Sequence, residues 1–137
     1  AQAQLRTQAP DEARLAAMRA NVEQFQGTRA GHVWVRTYAT ALHVLQRGAE
    51  ARAVLQRQLA ALPPAERETA DQFRLLLGLI AGEETSEGRR AFRELLRDGQ
   101  RPETQRTALY ALNRGTRTAA DRERLRRELT ELISGPR

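Results

Sequence analysis

The chain has 137 residues, no cysteine, and a net charge of +6 from 23 basic side chains, every one of them arginine, against 17 acids. Without cysteine there are no disulfides, no thiolate catalysis and no cysteine-ligated zinc, and no apolar run approaches the roughly 18 residues of a membrane-spanning helix. The length supports one domain with one core. At 40% hydrophobic and 4% aromatic, that core must be built from leucine, alanine and valine, a composition that favours helices over strands.

Residues 1–9 are polar and patternless and read as a flexible tail. Their AQAQ start resembles the small-residue end left by a signal peptidase, which leaves an exported and a cytoplasmic chain equally open. Pro10-Asp11-Glu12 opens a helix, because proline is tolerated in a first turn and carboxylates complement its dipole. Leu15, Met18, Val22 and Phe25 form the helix's apolar seam, and Gly27 closes it.

A second helix carries Trp34, Tyr38, Leu42 and Leu45 at helical spacing, and a third carries Ala51, Val54, Leu55, Leu59 and Leu62. Gly48 stands between them, where a chain leaving a helix needs a left-handed residue, and Pro63-Pro64 ends the pair. The next helix starts at Ala65-Glu66 and runs to about Ala81, with Phe73, Leu76, Leu77 and Ile80 inward. Thr85 or Ser86 caps a fifth helix, whose core face is Phe92, Leu95 and Leu96. Pro102-Glu103 starts a sixth, with Ala108, Leu109 and Leu112 inward. Thr118-Ala-Ala-Asp121 has the form of a capping box for a seventh, which packs through Leu125, Leu129, Leu132 and Ile133 until Gly135-Pro136.

Three of these helices end alike, in ALHVLQRG, LLLGLIAG and ALYALNRG. Their glycines, at 48, 82 and 115, stand 34 and 33 residues apart, and a leucine precedes each by six: Leu42, Leu76 and Leu109. Helical hairpins repeating near 34 residues are the signature of a tetratricopeptide-type solenoid. Residues 32–64 resemble a tetratricopeptide repeat, with small residues at Ala39 and Ala51, Leu42, Leu55 and Leu59 in register, and a closing Pro63. The second and third hairpins are degenerate, with Phe73 and Arg106 in the place of Ala39. The resemblance implies an all-α, right-handed solenoid of antiparallel hairpins, about seven helices in a single domain over 10–137.

It also implies a non-catalytic scaffold that holds a partner protein or peptide on the first helices of its hairpins. Carried over by register, the groove takes Val33, Arg36, Thr40 and His43, then Arg67, Arg74 and Leu77, then Thr107 and Tyr110. Arg36, Arg67 and Arg74 would offer guanidinium forks to the carboxylates of an acidic peptide.

Enzyme chemistry finds little support. His32 and His43 share a helix but lie about 16 Å apart at 1.5 Å rise per residue, too far for one metal ion. His32 suits a helix start and His43 a surface. Ser86 and Ser134 lack a nearby histidine, no phosphate-cradling glycine motif occurs, and no cofactor is implied. Two other readings have a basis. The +6 charge and RERLRRE (122–128) suggest nucleic acid, but acids interleave that run, and each half of the chain carries only +3 (nine arginines against six acids, then 14 against 11). A first helix without a preceding partner suggests self-association or an accessory role in a larger protein.

Overall fold

The computed structural model describes the backbone of residues 2–134 and the side chains of residues 11–131. Among these the chain is all-helical: α1 (Gln2–Gln24), α2 (Arg29–Val44), α3 (Gly48–Ala61), α4 (Arg67–Ala81), α5 (Ser86–Asp98), α6 (Pro102–Arg114) and α7 (Ala119–Ser134). The core places expected of Leu132 and Ile133, and the break at Gly135-Pro136, lie outside the described side chains and residues. Two compact units divide after Leu62.

In the first unit α1 packs on α2 and α2 on α3. α1 begins at Gln2, ahead of the start expected at Pro10, because the preceding glutamines, alanines, leucine and arginine are all helix formers. Leu15 and Val22 of α1 are buried, as are Val35, Tyr38, Ala39 and Leu42 of α2 and Ala51 and Leu55 of α3. This corrects the inward face expected of α2. Trp34 is only half-buried and Leu45 is exposed, while Val35, one residue on from Trp34, fills the core.

In the second unit α4 packs on α5 and α5 on α6. Phe92, Leu95, Ala108, Ala111, Leu112 and Leu125 form one cluster, so α7 reaches it through Leu125. Phe73 and Leu77 are also buried, and a Cβ on Gly78 would stand 2.8 Å from the Phe92 ring. Glycine there lets the aromatic ring lie directly on the α4 backbone. Leu109 was expected inward but is 40% exposed. The core face of α6 is Ala108, Ala111 and Leu112, so the leucine that precedes each repeated glycine does not mark a constant inward position.

The turns bring further corrections. Gly48 is the first residue of α3, and the left-handed residue is Gln46, at φ 65°. Of the three repeated glycines only Gly82 has a positive φ, 89°; Gly115 sits at −74°. His32 does not cap α2. Thr28 does, its Oγ1 accepting from the Gly31 N–H at 3.0 Å. Thr85 caps α5 in the same way through the Gly88 N–H, also at 3.0 Å. The Thr118 box is reciprocal: the Asp121 N–H donates to Thr118 Oγ1 at 3.1 Å, and the Thr118 N–H donates to Asp121 Oδ2 at 3.2 Å. Pro63-Pro64 follows α3, and Pro102 opens α6.

Candidate functional site

Arginine is the chain's only strong cation, so the first question is where each guanidinium finds its acid. Most of those singled out by hydrogen bonding are satisfied internally. Arg47 makes a bidentate pair with Glu50 at 2.9 and 2.8 Å and reaches Glu12. The Glu50 bond raises Arg47 above the usual guanidinium range, and the same bond lowers Glu50 below the usual carboxylate range. Arg101 pairs with Glu68, Arg114 with Glu83 and Arg117 with Glu84. Within RERLRRE, Arg124 and Arg126 pair with Asp121 and Glu123. Glu128 leaves that run altogether to meet Arg89 of α5 at 2.9 Å, deep in the second unit, with Arg93 at 3.8 Å.

The six expected partner-binding residues separate accordingly. Arg67 opens α4 and is exposed; Arg74, seven residues on, is bridged to Glu94 of α5 at 3.1 Å and to Asp71 at 3.9 Å. Its charge is committed to joining α4 and α5. Tyr110 of α6 is 65% exposed. Of the other groove positions carried over by register, Leu77 is buried and cannot line a surface, and Thr107 is exposed with its hydroxyl donating to the Glu103 carbonyl.

In the first unit the expectation gathers into one place. Arg36 and Thr40 line the same surface hollow of about 430 Å³, with Val33, Thr37 and Ala41 of α2 and Met18 of α1. His43 is exposed on the same helix, about two turns beyond Arg36 and one beyond Thr40. Thr37, Ala41 and Met18 were not anticipated. Their signal was legible, since positions 33, 37, 40, 41 and 44 follow a helical period that the buried set 35, 38, 39 and 42 does not use.

Three properties set this face apart. First, it is apolar yet open: Val33 is 47% and Val44 67% exposed. Second, α2 is the one helix of the seven whose sequence holds no aspartate or glutamate. Third, the Arg36 Nε is shut from solvent with no hydrogen-bond acceptor among the described residues. A half-buried guanidinium donor is costly to leave without an acceptor, and this helix has no carboxylate of its own to supply one.

A second hollow of about 400 Å³ lies among α1, α2 and α3, lined by Arg19, Glu23, Tyr38, Glu50 and Arg57 among others. Its acids and bases balance, and its two amides, Gln26 and Gln58, bond each other. Among the described residues no three His, Asp or Glu side chains are placed to hold a metal ion, and no helix is long and apolar enough to cross a membrane. No family model, no curated protein and no solved structure matches this chain.

Proposed function

We propose that this protein is a non-catalytic interaction module that holds an acidic protein or peptide partner on the outer face of α2. The hairpins read in its sequence support a tetratricopeptide-like solenoid as the scaffold, α2 being the first helix of the best-formed repeat. The observation that carries the reading is Arg36, whose unpartnered Nε stands beside an open apolar hollow on a helix with no acid of its own. A partner carboxylate supplies the missing acceptor after a small turn of the side chain, while an apolar side chain fills the space framed by Met18, Val33 and Thr40. Arg47, Arg74, Arg89, Arg101, Arg114 and Arg117 are drawn into ion pairs within the fold, which favours this reading over nucleic acid, a partner that needs several free cations on one surface.

Replacing Arg36 by Met keeps the apolar stem and removes the guanidinium. Loss of a charge-assisted hydrogen bond, about 1.5–3 kcal/mol, weakens binding of acidic peptides selected from a random library by roughly 10- to 100-fold. The melting temperature stays level or rises, because the variant also loses a donor shut away without a partner. Equal enrichment of acidic peptides on Arg36→Met and on the parent protein would remove α2 from the site.

A further inference from the structure

The two units share a plan that defines what is unusual about α2. Thr28 and Thr85 are both N-caps, 57 residues apart (28 to 85), and each is followed at N3 by a glycine, Gly31 and Gly88. Both glycines lie against a carbonyl of the turn before the helix, that of Phe25 in one unit and of Gly82 in the other, also 57 apart. Each threonine hydroxyl donates to that same carbonyl, at 2.6 and 2.9 Å. The register then pairs fully buried residues: Val35 with Phe92, Ala51 with Ala108, and Leu55 with Leu112.

On this register α2 corresponds to α5, and the outer faces can be compared position by position. α5 carries Arg90, Glu94, Arg97 and Asp98, charged throughout, with Glu94 bridged to Arg74 of α4 and Asp98 paired with Arg97. α2 carries Val33, Thr37, Thr40 and Ala41 at those places, and beyond them Val44 stands where the second unit has Arg101. The one charge kept is Arg36, which matches Arg93. In the second unit Arg93 has its acid: Glu128 of α7, on a helix that also buries Leu125 and packs Leu129 against the cluster. Arg36 has no such acid.

We infer that the outer face of α2 is a docking surface for an amphipathic helix of a partner protein, bearing leucines and a carboxylate in the pattern that α7 shows at Leu125, Glu128 and Leu129. The inference rests on the proposed function and names its ligand. A helix fits for three reasons. Thr37, Thr40 and Ala41 are small enough for a second helix axis to approach within the usual 8–10 Å. Val33 to Val44 spans about 16 Å, three turns of a ligand helix. Main-chain pairing with an extended peptide would need an open strand edge, and there is no strand among the described residues. A second copy of this chain fits poorly: α2 against α2 would oppose Arg36 to Arg36, with no acid on either helix to offset the repulsion.

The test uses a blocked peptide of about 18 residues with the Leu-Ala-Ala-Glu-Leu unit repeated every seven residues, so that its leucines share one face and it is long enough to be helical, and the same composition interrupted by prolines to keep it extended. The full chain is titrated with each and followed by fluorescence anisotropy and circular dichroism. We expect the helical peptide to bind and gain helicity, the proline peptide to bind at least about tenfold more weakly, and Arg36→Met and Val44→Glu each to weaken the helical peptide about tenfold or more. Stronger, Arg36-dependent binding of the proline peptide would overturn the helix and leave the α2 site standing. Arg36-independent binding, or none, of both peptides would overturn both. A dimer in sedimentation that Val44→Glu dissociates would assign the face to a second copy instead.

Discussion

Arg89 and Glu128 are both enclosed, with side chains only 5% and 8% exposed, and Arg89 Nε and Nη1 have no acceptor. Burial of a charge is tolerable only while its counter-charge is present, and removing one member of such a pair costs about 3–5 kcal/mol. We therefore expect Glu128→Gln to lower the unfolding free energy by about that amount in urea, and Arg89→Met with Glu128→Met together to recover most of it. Asp121 is the opposite kind of carboxylate, at the surface. Hydrogen bonds from the backbone N–H of Arg117, then of Thr118, hold its pKa below the usual aspartate value, with the Thr118 side chain and Arg124 adding to this. A carboxylate lowered by folding stabilises the fold fully above its unfolded pKa of about 3.9 and loses that contribution as pH falls through the lower folded value. Melting temperature should accordingly drop between pH 5 and pH 2, and Asp121→Asn should shrink the drop while lowering stability at pH 7. A drop of the same size in the variant would refute the assignment.

At the scale of elements, the helices themselves were legible and their faces only partly so. Caps and breakers act within a few residues, so Thr85, the Thr118–Asp121 box, Pro63-Pro64 and Pro102 could be read from the chain. Inward faces depend on the neighbouring helices. Leu109 and Leu45 lie toward solvent while Ala108, Ala111 and Val35 are among the residues buried from the same helices. The glycine spacing of 34 and 33 marks chain turns, whereas the Thr-x-x-Gly pair 57 apart marks packing, because a Cβ at Gly31 or Gly88 would collide with a carbonyl oxygen. That signal is present in the sequence but carries no hydrophobic period. It leads to a paired prediction. Gly31→Ala and Gly88→Ala should each destabilise by about 1–3 kcal/mol or more through overpacking, while Gly27, with nothing near its missing Cβ, owes its place only to φ 80°. A neutral effect at either of the two packed glycines would break the equivalence of the turns.

For the molecule as a whole, the proposed partner binding depends on which arginines remain available once the internal pairs are formed. The sequence offered Arg36, Arg67 and Arg74 as equals; the fold commits Arg74 to Glu94 and Asp71, and it leaves Arg36 beside an apolar hollow on an acid-free helix. That distinction was not legible beforehand, because ion pairing between helices such as Glu128 with Arg89, 39 residues apart, depends on tertiary packing. The most direct test is a titration of the isotopically labelled protein with the leucine–glutamate helical peptide, following backbone amide shifts. The account predicts saturable shifts concentrated at Val33, Thr37, Thr40 and Val44, with Met18 beside them, and their loss in Arg36→Met. Shifts centred on Arg67 and Tyr110 with α2 unmoved, or no saturable shift at all, would contradict it.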